Sequence, residues 1–361
     1  GEPFVRRVPV ALWILLVSLI ALGAFLFLDL KEKKDPLAWD LDLDTIRFED
    51  MAFEKQSSFK GDRFYASFEK DGKKYRYRAS TAVPNLFAEF EQFKIQGLYL
   101  FDAEIKKQFP EDPFADSEKT KCMELVPSSE NAFKVCASTE ERNGKVFVVA
   151  NRPQNQGEAY LVQSYLFDRL KQDKVTFLEK RVFLYPTATS TEEMNITLMA
   201  PMDVEKATVL KRKYPEKLHL LRKEKEQDEK KLVYWASENG QEIPAQLSNP
   251  LDSVLRQFQI QFFSFEYDFD PAQMWEKATP ILEATLVAAE DGDPVKTFHV
   301  EVRRPEQELE FQGKKLLLMQ SSELDGVQVL DLETVTRTAG YVEGIYATEI
   351  SQGNSNAPAQ Q

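Results

Sequence analysis

The sequence predicts an α+β protein: a single N-terminal transmembrane helix followed by two tandem related domains of mainly antiparallel sheet with packed helices. Three observations lead there. One is a long uncharged apolar run near the start of the chain. Another is an ordered set of internal similarities that divides the remainder into two copies. The last is the pattern inside each copy, where period-2 segments are interrupted by one amphipathic helical stripe.

The apolar run extends from Val8 to Leu28 without a charge. About 21 residues at roughly 1.5 Å each reach about 30 Å, the thickness of a hydrocarbon core. A signal-peptide core is shorter, roughly 7–15 residues, and the weak cleavage site Leu22-Gly23-Ala24 lies inside the run. No Cys lies near it, which closes the lipoprotein route. The expectation is an uncleaved anchor over residues 8–30, carried by Trp13, Leu16, Leu19, Phe25 and Phe27. Arg6 and Arg7 precede it, and Lys31, Lys33 and Lys34 follow it, so the positive-inside count is equivocal. The expected placement is a single pass of a bacterial inner membrane. Residues 1–7 then form a short cytoplasmic segment, and the bulk of the chain lies in the periplasm.

The two copies are aligned by five segments in the same order. Lys74-Tyr-Arg-Tyr-Arg-Ala-Ser80 resembles Lys231-Leu-Val-Tyr-Trp-Ala-Ser237, and Phe90-Glu-Gln-Phe-Lys-Ile-Gln96 resembles Leu255-Arg-Gln-Phe-Gln-Ile-Gln261. Phe133 to Ala137 then matches Phe298 to Val302, Lys145 to Ala150 matches Lys315 to Gln320, and Ala159 to Gln163 matches Gly326 to Leu330. The offset drifts only from 157 to 170. A period this long makes two domains, not a solenoid. The division is a membrane-proximal linker over 31–44, repeat 1 over 45–185, repeat 2 over 186–348, and a disordered tail over 349–361, polar and with little to bury.

Each copy opens with alternating segments, such as Phe64 to Phe68 and Tyr75 to Arg78, joined by the turn Asp71-Gly72. A helix follows from Pro84 to Lys94, with Leu86, Phe87, Phe90 and Phe93 on one stripe. Its counterpart is expected to start at Pro250 and to carry Leu251, Val254, Leu255 and Phe258, each proline standing in a first turn that tolerates a missing N–H. Hairpins complete each copy, and a short helix near Tyr165 to Leu170 closes the first.

Cys122 and Cys136 flank a hairpin folded about Ser129, with Pro127 to Asn131 as its loop. Opposed residues share a face, so the cysteines lie with Glu124 and Lys134, and Met123, Leu125, Phe133 and Val135 form the expected core side. Directly opposed cysteines at a non-hydrogen-bonded position come within reach of a disulfide; two unrelated free thiols are the alternative. A disulfide requires an oxidising compartment, consistent with the expected placement.

Composition narrows the function. The 361 residues carry 59 acidic and 46 basic side chains, for a net charge of −13, and only 2 histidines. This acidity argues against nucleic-acid binding, and two histidines leave little for a multi-histidine metal site. No phosphate-loop, dinucleotide, nucleophile-elbow or zinc-protease motif is found. His219 and His299 sit in apolar patterns without partners and read as structural. Glu266, Asp268 and Asp270 lack the glycine and bidentate glutamate of a calcium loop, and alternation along a strand explains them. The mixed-sign run from Arg222 to Lys231 reads as a solvated hairpin. Asn195-Ile-Thr197 matches a glycosylation acceptor and reads as a chance match. No cofactor, metal or catalytic residue is expected.

The lone N-terminal span, the strand turn Lys70-Asp-Gly-Lys-Lys-Tyr75, the helix after Pro84, and the block Gly157 to Val162 leading to Phe177 to Val182 resemble one group. It is the bacterial membrane-anchored periplasmic domain associated with ABC-type transporters and gliding-motility auxiliary proteins. The resemblance implies an accessory subunit that docks on an ABC-type permease and its associated subunits. The expected function is therefore non-enzymatic protein–protein interaction, with Trp39 in the linker as a docking candidate. The alternative is a ligand-binding receptor or an envelope hydrolase.

Overall fold

The computed structural model describes residues 35–57, 61–183, 191–288 and 296–355, together with Leu15 and Val17–Ala21. The chain divides into two compact units, one built from Gly1–Leu43 and Leu86–Lys171 and the other from Asp44–Asn85 and Gln172–Gln361.

In chain order the first stretch runs β1 (Leu37–Asp40), β2 (Leu43–Phe48), β3 (Met51–Gln56), β4 (Arg63–Lys70) and β5 (Lys73–Arg78). It continues with α1 (Ala82–Glu91), β6 (Gln92–Lys94), β7 (Gly97–Leu100) and α2 (Ala103–Lys106), and ends with β8 (Thr120–Pro127), β9 (Phe133–Ser138), β10 (Lys145–Ala150), β11 (Glu158–Gln163) and α3 (Tyr165–Asp168). The second stretch runs β12 (Thr191–Leu198), α4 (Val204–Val209), β13 (Glu216–Gln227), β14 (Lys230–Ser237), α5 (Ala245–Arg256), β15 (Ile260–Phe262) and α6 (Pro271–Trp275). It ends with β16 (Thr279–Ala288), β17 (Lys296–Arg304), β18 (Leu309–Phe311), β19 (Lys314–Ser321), β20 (Gln328–Asp331) and α7 (Leu332–Ser355).

Antiparallel pairing dominates both units. In the first, the sheet path is β8-β9-β10-β11-β7, and β1 pairs with β6. In the second, β2 to β5 form a meander, and a longer path runs β14-β13-β12-β16-β17-β19-β20-β15. A strand that follows the main helix returns to pair with the last strand of the later meander in both stretches: β7, the second after α1, joins β11, and β15, the first after α5, joins β20. All five similar segments of sequence fall in elements that correspond in this order.

Local chemistry explains the hairpins. Asp71-Gly72, Asn143-Gly144 and Gln312-Gly313 have both residues at positive φ, the geometry of the tight turn that matches strand twist. Asp228-Glu229 makes the same turn without glycine, at φ 52 and 61, and carries the charged β13–β14 hairpin. In α1, Leu86, Phe87 and Phe90 are buried as the stripe requires, and Phe93 follows them inward. Leu251, Val254, Leu255 and Phe258 do the same around α5.

Several expectations are corrected. Among the described residues no helix is long and apolar enough to cross a membrane. Within 8–30, only Leu15 and Val17–Ala21 are described; they are helical, and Leu15, Val17, Leu19 and Ile20 are exposed. Trp13, Leu16, Phe25 and Phe27 lie outside the described residues. The spanning helix, the single-pass inner-membrane placement and the topology drawn from it are therefore not upheld.

Pro250 does not start its helix. The helix begins at Ala245 after Pro244, and Pro250 stands inside it. The expected disordered tail is helical as far as Ser355, and residues 356–361 lie outside the described residues. Nor do Glu266, Asp268 and Asp270 alternate along a strand. Residues 264–266 form a turn, Glu266 accepts a hydrogen bond from the Phe263 N–H at 2.7 Å, and Asp270 caps α6.

Candidate interaction edges

Trp39 is 5% exposed, which corrects its expected role as a surface contact. Its indole N–H donates to the Phe90 carbonyl at 2.9 Å, and its ring packs edge-on against Phe133 and Tyr160. A residue in an aromatic core cannot meet a partner without unfolding its surroundings.

Cys122 and Cys136 form a disulfide between directly opposed positions of β8 and β9, with Cα atoms 4.0 Å apart. The Cys122 N–H turns away from β9 to the Asp116 carboxylate at 2.9 Å, as a non-hydrogen-bonded pair requires. Met123, Leu125, Phe133 and Val135 are buried as expected. The cysteine face is buried too, packed with Ile105, Phe109, Val149 and Ala159. Both faces of this hairpin are thus covered, the second by the segment around α2.

The titratable groups pair off structurally. His219 on β13 is held by Glu193 through Nε2 at 2.7 Å and by Glu238 through Nδ1. Partial burial opposes its charge, yet the two carboxylates win and hold its pKa above the ordinary histidine value. Its two ring nitrogens are both engaged, which leaves none to act as a base. His299 bonds the Thr285 hydroxyl at 3.0 Å. Glu216 is buried against Arg212, whose guanidinium also reaches Glu343 at 3.2 Å and fastens α7 to β13. Burial in this network, reinforced by Glu343, pushes the Tyr214 hydroxyl up to about 12. Among the described residues no group of three His, Cys, Asp or Glu side chains is placed to hold a metal ion.

Two strand edges stand out instead. The first is β7, at the end of its sheet path. The Phe101 N–H bonds the Gly157 carbonyl, so alternation turns the main-chain groups of Tyr99 toward β11 and those of Leu98 outward. Leu98 is 58% exposed and Leu100 79%. Their side chains share one face, while Tyr99 packs on Phe147 from the other. The four-residue edge carries no charged side chain to blunt it.

The second edge is β5, which borders a cleft of about 290 Å³ lined by Lys74 to Arg78, Glu179, Ile260, Ser264 and the loop Leu324 to Gln328. The Ala79 N–H bonds the Phe64 carbonyl, and alternation then points the main-chain groups of Lys74, Arg76 and Arg78 away from β4. Tyr75 and Tyr77 lie on the opposite face and pack against Phe265. The Tyr77 hydroxyl bonds Ser264, and burial raises its pKa. The segment from Leu178 to Val182 crosses the end of this cleft. Its Glu179 N–H bonds the Arg78 carbonyl at 2.9 Å, its Lys180 carbonyl accepts from the Ile260 N–H at 2.7 Å, and its Val182 N–H bonds the Phe258 carbonyl.

Sequence reading singled out neither edge. The signals existed: Gly97-Leu-Tyr-Leu100 is a short strand with no gatekeeping charge, and Lys70 to Arg78 holds five cations and one acid in a chain of net charge −13. Compared with protein-family models, curated proteins and solved structures, the chain matches none.

Proposed function

We propose that this chain is a non-enzymatic accessory subunit that acts by protein–protein contact, taking up an extended segment of a partner along β7. The observation that carries this reading is the open, apolar edge formed by Leu98 and Leu100. An added strand would pair with the outward main-chain groups of Leu98, and its alternate side chains would cover the two leucines. Burying such side chains contributes roughly 1.5–3 kcal/mol each, enough with main-chain pairing for a specific contact. The geometry asks for a partner segment with apolar residues at every second position. The partner implied by the sequence resemblance, a subunit of an ABC-type transporter assembly, is the first to test. The disulfide agrees with work in an oxidising compartment.

The test is co-purification of partners with the full chain and with Leu98→Lys/Leu100→Lys. Both side chains are exposed, so the fold is retained and partner recovery is expected to fall at least about tenfold. Unchanged recovery, or turnover of a small molecule that survives the double substitution, would overturn this reading.

A further inference from the structure

We propose that the cleft beside β5 binds an extended acidic peptide by strand addition, with acidic side chains at alternate positions. The cleft lies within the second compact unit and involves none of the residues of β7.

The backbone supplies the first argument. A strand edge is recognised by what pairs with it, and the chain itself provides an example at the end of this cleft. The segment from Leu178 to Val182 bridges antiparallel to Ala79 and bonds the Arg78 carbonyl. There it stops following β5. The next outward groups, on Lys74 and Arg76, continue the same row along the cleft wall. A peptide laid beside them extends a pairing the protein has already begun.

Side-chain charge selects the peptide. Lys74, Arg76 and Arg78 stand on one face of β5, two residues apart. Lys74 makes no ion pair among the described residues. Arg76 reaches Glu54 only at 3.4 Å while stacking over the Tyr65 ring, and Arg78 reaches Glu323 at 3.8 Å. Asp325 is the one acid on the cleft wall not already held by an arginine, Glu179 being taken by Arg181. A peptide residue opposite Lys74 and another opposite Arg76 would be two positions apart and would share that face. Acids at those positions pair with both cations, and the alternation is the specificity.

The test uses the full chain and labelled peptides of about nine residues, long enough to run past the edge at roughly 3.4 Å per residue. One alternates glutamate with valine, a second has the same composition with the acids in a block, and a third has lysine for glutamate. An oligothymidylate of equal charge completes the set. The alternating acidic peptide is expected to bind saturably. Affinity should weaken about tenfold in Lys74→Glu and in Arg76→Glu, and further as salt rises. Lys74→Pro removes an outward N–H and leaves the β4 ladder intact, so it should weaken binding beyond Lys74→Ala. Leu98→Lys/Leu100→Lys should leave this binding unchanged, which separates the cleft from the β7 contact. Absence of saturable binding overturns the proposal. So does equal affinity for the block peptide, the lysine peptide or the oligonucleotide, and so does equality of Lys74→Pro with Lys74→Ala.

Discussion

The rings of Trp39 and Phe93 lie parallel, with centroids 4.3 Å apart and an interplanar angle of 7°. Trp39 belongs to β1 and Phe93 to β6, so the stack joins a strand well before α1 to the strand that directly follows it. Phe90 and Tyr160 complete the aromatic cluster. Truncating a buried tryptophan costs roughly 3–5 kcal/mol through lost burial and the cavity left behind. Trp39→Ala is therefore expected to lower the urea unfolding free energy by about 3 kcal/mol. A loss below about 1 kcal/mol would show that the ring is not packed as described.

The disulfide makes a second expectation. Its cysteines are 14 residues apart, and closing a loop of that size stabilises by about 3 kcal/mol in the chain-entropy model. The pair is buried beneath Ile105 and Phe109 and neither cysteine is free, so the reagent is applied to the denatured chain. Alkylation without reduction is expected to modify neither cysteine. Thermal unfolding of Cys122→Ala/Cys136→Ala should come at a lower temperature than that of the oxidised chain. Two alkylated thiols in protein from an oxidising compartment would contradict the bond.

These two sites show what could be read from sequence and what could not. The β8–β9 pairing was legible because opposed residues in a hairpin follow from counting about its turn: Cys122 with Cys136 and Glu124 with Lys134 are register partners. Burial of the cysteine face was not legible, because α2 and the following loop reach it only through tertiary packing. Trp39 was misplaced for a similar reason. Its local segment mixes leucines with four aspartates, and only pairing with Phe93, distant in sequence, puts it in a core. Helix α7 was hidden by composition. Val335, Ala339, Val342 and Ile345 keep helical spacing and are buried, but Gly340, Gly344, Thr334, Thr336 and Thr338 dilute the pattern. The open edges belong to the same class of information. A strand's residues show its two faces, whereas its free side is settled by which other strands arrive.

Pro250 offers a direct test of helix α5. It is the sixth residue of that helix, past the first turn where a missing N–H is harmless. The Gln246 carbonyl consequently has no i+4 donor from this position. Proline in a helix interior costs about 3 kcal/mol, less the 0.4–1 kcal/mol that its stiffness contributes by restricting the unfolded chain. Pro250→Ala is expected to raise stability by about 2 kcal/mol, measured by chemical denaturation. A decrease would mean that the proline ring itself fills space against the neighbouring helix.

The final expectation concerns pH. His219 is engaged by carboxylates on both ring nitrogens, Glu193 across the β12–β13 ladder and Glu238 just beyond β14. Its hydrogen bonds raise the folded-state pKa above the unfolded value of about 6.5. The folded state therefore binds the proton more tightly than the unfolded state does. The stabilisation is complete below the unfolded pKa and is lost as pH rises through the folded one. The site is partly exposed, so salt and water reduce its size. Unfolding temperatures measured from about pH 5.5 to about pH 8.5 should fall toward the alkaline end, after allowance for the pH dependence of His219→Gln. The difference between the two proteins should be largest at the acid end, where the imidazolium is fully formed. An equal gap across the range would show that no charge is stabilised there.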